Sequence, residues 1–230
     1  MSELEIRPLT TERLTDLAKL FNQGGDPRWC WCSYYRVRSV DFRSATPASN
    51  RAVLERAADA TAEVGRAPGL VAYAEGEAVG WVSVGPRDDY ERLQHSRVLA
   101  AVDDRPVWSI VCFVVARRSR GQGIATALLE AAMAYAAEHG ATLLEAYPAA
   151  TDGERIPAAH AYKGTVSMFE RAGFEVVARR QANRTSAVRP IMRRSLAPPA
   201  YHDPAPGGAS RPRQSRQHRA GARRRKRRST

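Results

Sequence analysis

The sequence predicts a mixed α/β fold, a central sheet with helices on both faces, and three observations carry that prediction. Strand-like and helix-like stretches alternate through the middle of the chain, and paired strands sit toward both ends. One apolar run, VWSIVCFVVA at 107–116, is rich enough in Val and Ile to be a central strand covered on both faces. A chain of 230 residues has room for one full-sized domain plus an appendage.

Taken in order, Leu4 to Leu9 alternates as a first strand, and TTERLTDLAKLF places Leu14, Leu17, Ala18, Leu20 and Phe21 at helical spacing. An aromatic loop, 28–36, follows. TPASNRAVLERAADATAEV reads as one helix over 46–64, capped by Thr46 or Ser49. GLVAYAE and AVGWVSVG, separated by Gly76 and Glu77, form a hairpin, and YERLQHSRVLAA is a short helical connector. Beyond the apolar strand, a helix runs from Gly123 to about His139 and is closed by Gly140. ATLLEAYP is a strand stopped by Pro148, TVSMFERAGF a helix ended by Gly173, and FEVVARR and VRPIMRRSL two last strands.

Charge divides the chain in two. Residues 198–230 hold ten basic side chains against the single acid Asp203, nine of the formal +12, leaving +3 for residues 1–197. The expected organisation is therefore a folded domain at 1–197 and a disordered basic tail at 198–230. The tail suits weak, sequence-blind, salt-dependent contact with nucleic acid through 211–228. Three cysteines, two of them in Cys30-Trp31-Cys32, make no disulfide framework, which points to a reducing cytoplasm. Cys-x-Cys without a second ligand pair is not a zinc site, so no metal is expected. MSELEIRPLT lacks an apolar leader, and no stretch approaches the roughly 20 apolar residues of a membrane helix, so no membrane association is expected.

The segment leaving the apolar strand, RRSRGQGIATALLEAAM at 117–133, has a chemical logic of its own. A helix start presents unpaired N–H groups and the positive end of a macrodipole, a ready anion site. Gly121 and Gly123 let the backbone approach a bulky anion, and Arg117, Arg118 and Arg120 add charge around it. A P-loop would need Lys-Ser/Thr after the last glycine, where Ile124 and Ala125 stand. A dinucleotide fingerprint would need a glycine where Thr126 stands.

Arg120-Gly121-Gln122-Gly123-Ile124-Ala125 instead resembles, at every specified position, the (Q/R)-x-x-G-x-(G/A) pyrophosphate signature of the GNAT superfamily of acyl-CoA N-acyltransferases. Met168-Phe169-Glu170-Arg171-Ala172-Gly173-Phe174 is similar to that family's aromatic-E-(K/R)-x-G-F helix end, and the element order from 3 to 196 also resembles the family. The resemblance implies a mostly antiparallel sheet in which two neighbouring parallel strands, 107–116 and 141–147, splay apart around acetyl-CoA. It implies that backbone groups of Phe113, Val114 and Val115 meet the pantetheine arm, that amides from Gly121 to Ala125 cradle the pyrophosphate, and that Phe169 packs on the co-substrate. Homodimers are common in the family.

One departure matters. Where most members carry a Tyr that protonates the departing thiolate, this chain has Phe169, which has no proton to give. Tyr147 and Tyr162 are the candidate acids in its place, and Glu145 and His160 the candidate bases. The resemblance also implies that the segment between the first two helices forms one wall of the acceptor pocket, for which Trp29, Trp31, Tyr34 and Tyr35 are candidates, offering flat apolar or cation-attracting surface. The expected activity is transfer of an acetyl group to a primary amine by direct attack, a small-molecule acceptor ranking ahead of a protein. Two alternatives stay open from sequence: a catalytically weak acyl-CoA-binding relative, and a nucleic-acid- or ribosome-associated protein acting through its basic tail.

Overall fold

The computed structural model describes residues 4–149 and 162–196. Among them β1 (Leu4–Pro8), β2 (Gly69–Ala74), β3 (Glu77–Pro86), β4 (Trp108–Val115), β5 (Leu143–Ala146), β6 (Glu175–Arg180) and β7 (Arg189–Ser195) form one sheet in the order β1-β2-β3-β4-β5-β7-β6. All neighbours are antiparallel except β4 and β5, which are parallel, as expected of a mixed, mostly antiparallel sheet. The described helices are α1 (Leu14–Phe21), α2 (Pro27–Cys30), α3 (Ser39–Ser44), α4 (Pro47–Asp59), α5 (Thr61–Val64), α6 (Glu91–Gln94), α7 (Ile124–Glu138) and α8 (Val166–Arg171). None is long and apolar enough to cross a membrane.

Strand alternation shows how both faces are covered. Successive residues of β3 point to opposite sides of the sheet. Trp81 faces α1, edge-on to Phe21 at 6.3 Å between ring centroids. Gly80 faces α7, and so closely that a Cβ there would lie 2.8 Å from Ile124 Cγ2 and 2.9 Å from Leu128 Cδ1. The missing side chain lets the first turn of α7 sit down on β3, which fixes where the start of that helix points. Burial on both faces makes Val71, Trp81, Val82, Leu128, Leu129 and Leu144 part of one core, each with no exposed surface.

Three segments differ from the sequence expectation. The 28–36 segment is not an open loop: α2 and a single 3₁₀ turn at Ser33–Tyr35 organise it. The helix expected over 46–64 divides at Ala60 into α4 and α5. Its cap is Thr46, and Ser49 is the reciprocal partner: Ser49 N–H donates to Thr46 Oγ1 (3.1 Å), while Thr46 N–H donates to Ser49 Oγ (2.8 Å). The connector at 90–101 is helical only over α6. Arg87 explains the stop, because its Nη2 donates to the carbonyls of Leu93 (3.0 Å) and Leu99 (2.6 Å). A continuing helix would need the Leu93 carbonyl for its own ladder.

Candidate functional site

β4 and β5 pair at only three positions, Trp108↔Leu144, Ser109↔Glu145 and Ile110↔Ala146, although β4 continues to Val115. The two strands therefore part at Ile110. Ala116 N–H donates to Val79 (2.9 Å), so Val114 also turns its backbone toward β3, while Phe113 and Val115 turn theirs to the gap. There the Phe113 amide donates to the Tyr162 carbonyl (2.6 Å) and the Val115 carbonyl accepts from Arg120 Nε (3.3 Å). Two groups expected to meet a pantetheine arm thus have partners within the chain.

From Val115 the backbone passes through a 3₁₀ turn, Arg117–Ser119, into Gly121 (φ 77°) and Gly123 (φ 81°), conformations that L side chains rarely adopt. A Cβ at either glycine would meet nothing within 4 Å, so the requirement is conformational and the space in front is open. That space is a cavity of about 270 Å³ reaching from Val115 to Thr126. Gly123 is the N-cap of α7 and brings no capping side chain, leaving the first amides of a 15-residue helix facing the cavity. Arg118 is committed to an ion pair with Glu77, and its carbonyl accepts from Gln122 Nε2 (3.3 Å). Arg117 and Arg120 stay exposed beside the glycines. Open space, helix-start amides and exposed guanidinium charge together fit a diphosphate.

The aromatic segment builds a second cavity. Trp31 and Cys32 are consecutive non-glycine residues in the left-handed region, φ 46° and 51°, a conformation costing about 1–2 kcal/mol per residue. The bend turns Trp31 inward, 4% exposed, edge-on to Phe21 at 5.4 Å, and brings the Cys32 thiol to Cys112 Sγ at 3.1 Å. Trp31 therefore packs in the core and does not line the cavity. Trp29 and Tyr34 stand outward at 38% and 39% exposure, each edge-on to Phe42 of α3, at 4.9 and 5.1 Å. Asn50 of α4 ties the segment down: its Nδ2 donates to the Trp29 carbonyl (3.0 Å) and its Oδ1 accepts from Ser33 Oγ (2.7 Å).

The resulting cavity, about 460 Å³, has Trp29, Tyr34, Tyr35 and Phe42 on one wall and Val111, Cys112, Tyr162, Lys163 and Arg189 among its other lining residues. A second space of about 320 Å³ shares Tyr34, Tyr35, Lys163 and Arg189 with it and reaches Tyr147. Cys30 and Cys32 also line the larger cavity. Both thiols are pushed well up, Cys30 by its bond to Cys32 and by burial, Cys32 by its bond to Cys112, which makes them poor nucleophiles.

Of the expected acids and bases, Tyr162 lies in the cavity wall, half-buried, its hydroxyl oxygen against the Asp26 backbone. Burial first, and the Asp26 charge second, raise its pKa above the ordinary tyrosine value. Tyr147 and Glu145 are on and just beyond β5, but their polar atoms are engaged with one another and with buried guanidiniums. Tyr147 Oη donates to Glu145 Oε1 (2.6 Å) and accepts from Arg87 Nη1 (2.6 Å). Glu145, with no exposed surface, also takes Arg87 Nη1 at 3.0 Å and Arg193 Nε at 2.7 Å. Burial and then the Glu145 charge hold the Tyr147 hydroxyl well above its usual pKa. His160 lies outside the described residues. Phe169 is fully buried, 6.1 Å from the Phe113 ring and 5.1 Å from Phe174.

Sequence reasoning missed Lys163, Arg189 and Phe42. Burial, then the charge of Arg189, lower the Lys163 pKa to about 8, within reach of neutral pH. No sequence pattern marks these three, because they come from separate parts of the chain and are brought to one cavity only by the fold.

The acetyltransferase (GNAT) family model matches residues 29–165. No curated protein matches the chain. Among solved structures, yncA from Salmonella typhimurium, determined with its cofactor acetyl-CoA, superposes with a TM-score of 0.51 at 16% identity, covering 87% of this chain and 98% of its own. The ribosomal-protein-alanine N-acetyltransferase of Brucella melitensis gives a TM-score of 0.50 at 21% identity, covering 84% and 99%. An N-acetyltransferase from Staphylococcus aureus Mu50 gives 0.50 at 15% identity, covering 85% and 100%. At these identities the likeness is one of fold.

Proposed function

The chain belongs to the acetyltransferase (GNAT) family, and from that premise we propose that it transfers the acetyl group of acetyl-CoA to the primary amine of a small molecule by direct attack. The observation that carries this reading is the continuity of β4: Val115 lines the open space at the start of α7, while Val111 and Cys112 line the aromatic cavity. One strand thus joins a diphosphate-fitting loop to an acceptor cavity about 10 Å away at roughly 3.3 Å per residue.

In this reading Gly121 to Ala125 hold the pyrophosphate of acetyl-CoA with backbone amides, and Arg117 and Arg120 supply charge. The Val115 amide, facing the gap, is available to the pantetheine arm. The acceptor amine, neutral at the moment of attack, adds to the thioester carbonyl. The C–S bond breaks, the thiolate takes a proton and the new amide nitrogen loses one. Tyr162, on the cavity wall and bonded through its carbonyl to Phe113, is the proton donor to the thiolate, the part Phe169 has no hydroxyl to play. The raised pKa values of Cys30 and Cys32 argue against an acyl intermediate on either of those two thiols. Glu145 and Tyr147 act as a buried strut behind β4 and β5. The reading treats 1–197 as the catalytic body of a cytoplasmic enzyme without metal, with 198–230 as a separate basic tail.

Calorimetric titration of acetyl-CoA into the full chain tests it. Micromolar binding, about −8 kcal/mol, weakened tenfold or more by Gly123→Val, is the expected result. No binding to a folded protein would sink the transferase reading.

A further inference from the structure

The described charges around the two joined cavities are unevenly placed. Lys163 and Arg189 each line both spaces, while Asp26 is the one carboxylate among the described lining residues, and it belongs to the larger space alone. Among the described residues neither cation makes a hydrogen bond or an ion pair, whereas Arg92 nearby is held by Ser39 Oγ at 2.6 Å and lies over the Tyr34 ring at 3.8 Å. Two like charges facing one half-apolar space repel each other, and an anion seated between them relieves that repulsion. Arg180, opposite Arg189 in the β6–β7 register, adds no third positive charge to the space. Its guanidinium is turned to the Ala100 and Ala101 carbonyls.

Asp26, which also lines the larger cavity, stands close enough to Tyr162 for its charge to act on the hydroxyl. The carboxylate of Asp26 therefore favours a cation beside it, and Lys163 with Arg189 an anion. We infer that the acceptor amine also bears an anionic group, carboxylate or phosphate, which seats between Lys163 and Arg189, making the acceptor an amino-acid-like molecule and not a polyamine or a neutral amine. The inference rests on the transferase reading and deepens it. Balance is unaffected, because the anion is bound and not transformed. The aromatic wall then serves as the face for the acceptor's side chain, since Trp29, Tyr34 and Phe42 offer flat apolar surface in the same cavity.

The test uses the full chain and begins with acetyl-CoA titrated into the wild type and Arg189→Met. Equal affinity in both shows co-substrate binding to be independent of the anion seat, and absent binding in both would strike at the transferase reading first. CoA release is then followed with matched acceptor pairs: common amino acids against their carboxamides, and aminoalkyl phosphates against the corresponding amino alcohols. The expected result is a preference of at least about tenfold in kcat/KM for the anion-bearing member of at least one pair, and the set in which it appears identifies carboxylate or phosphate. Arg189→Met should raise KM for that member by about tenfold or more and leave its neutral partner unchanged, with Arg189→Lys recovering part of the loss. Three results would overturn the inference: neutral members used as well as or better than anionic ones, Arg189→Met slowing both alike, or a protein that binds acetyl-CoA yet turns over none of the anion-bearing amines.

Discussion

Glu145→Gln separates a structural carboxylate from a catalytic one, because it keeps the shape of the side chain and removes its charge. In the folded chain Glu145 has no exposed surface and accepts from Arg87 at 3.0 Å, Tyr147 at 2.6 Å and Arg193 at 2.7 Å. A glutamine offers one acceptor oxygen and an NH₂ that must face a guanidinium, donor to donor. Removing one partner of a buried ion pair costs about 3–5 kcal/mol. Asp103 remains on Arg193 at 2.8 Å, and Arg87 keeps its bonds to the Leu93 and Leu99 carbonyls, which places the loss near the lower figure. At about 2–4 °C per kcal/mol for a domain of this size, melting should fall by roughly 6–12 °C. Thermal unfolding of both proteins followed by circular dichroism reads this directly, alongside acetyl transfer measured well below the transition, where kcat should stay within about threefold of wild type. An unchanged melting temperature with kcat down about a hundredfold would refute the reasoning and make Glu145 the base.

Tyr162→Phe should lower kcat by about a hundredfold while leaving acetyl-CoA affinity within about twofold by calorimetry; an unaltered kcat would remove Tyr162 from the proton path. Lys163→Met should stabilise the protein at pH 7. The lysine's folded pKa, about 8, lies below its ordinary value of 10.5, so the folded state carries the cost of a desolvated cation in full below pH 8 and sheds it as pH rises toward 10.5. Urea midpoints of variant and wild type should therefore differ at pH 7 and converge above about pH 10, and a less stable variant at pH 7 would contradict the burial argument. Removing 198–230 should leave acetyl-CoA affinity within about twofold at physiological salt by calorimetry, and a larger loss would assign the tail a part in binding.

Much of the fold was legible because its signals are local. The Val- and Ile-rich run at 107–116 is indeed a central strand, and the Gly-x-Gly leaving it does open a helix. The seating of that helix was not legible, since it depends on Gly80, some forty residues earlier, having no side chain under Ile124 and Leu128. The breakpoints at Ala60 and after Gln94 escaped for a similar reason: neither carries Gly or Pro, and the second is enforced by a guanidinium from Arg87. Within the candidate site, Trp29, Tyr34 and Tyr35 line a cavity where the family resemblance and their aromatic character led one to look for them, whereas Trp31 packs inward because two successive left-handed residues change the direction in which it points. Glu145 and Tyr147 read as active-site groups from their strand position. Their engagement rests on Arg87 and Arg193, 58 and 48 residues away, a separation no spacing rule spans.

The rim formed by Trp29, Tyr34 and Phe42 has an evolutionary consequence. Trp29 and Tyr34 each meet Phe42 edge-on, and the segment beneath them is fastened by Asn50 through the Trp29 carbonyl and the Ser33 hydroxyl. Trading one rim aromatic for another residue therefore disturbs neither that fastening nor the central packing around Phe21 and Trp81. Acceptor preference can drift by successive single changes at the rim while the loop from Arg117 to Ala125 stays constant. Relatives with the same loop and different rims would then form a series of altered selectivity on an unaltered machine.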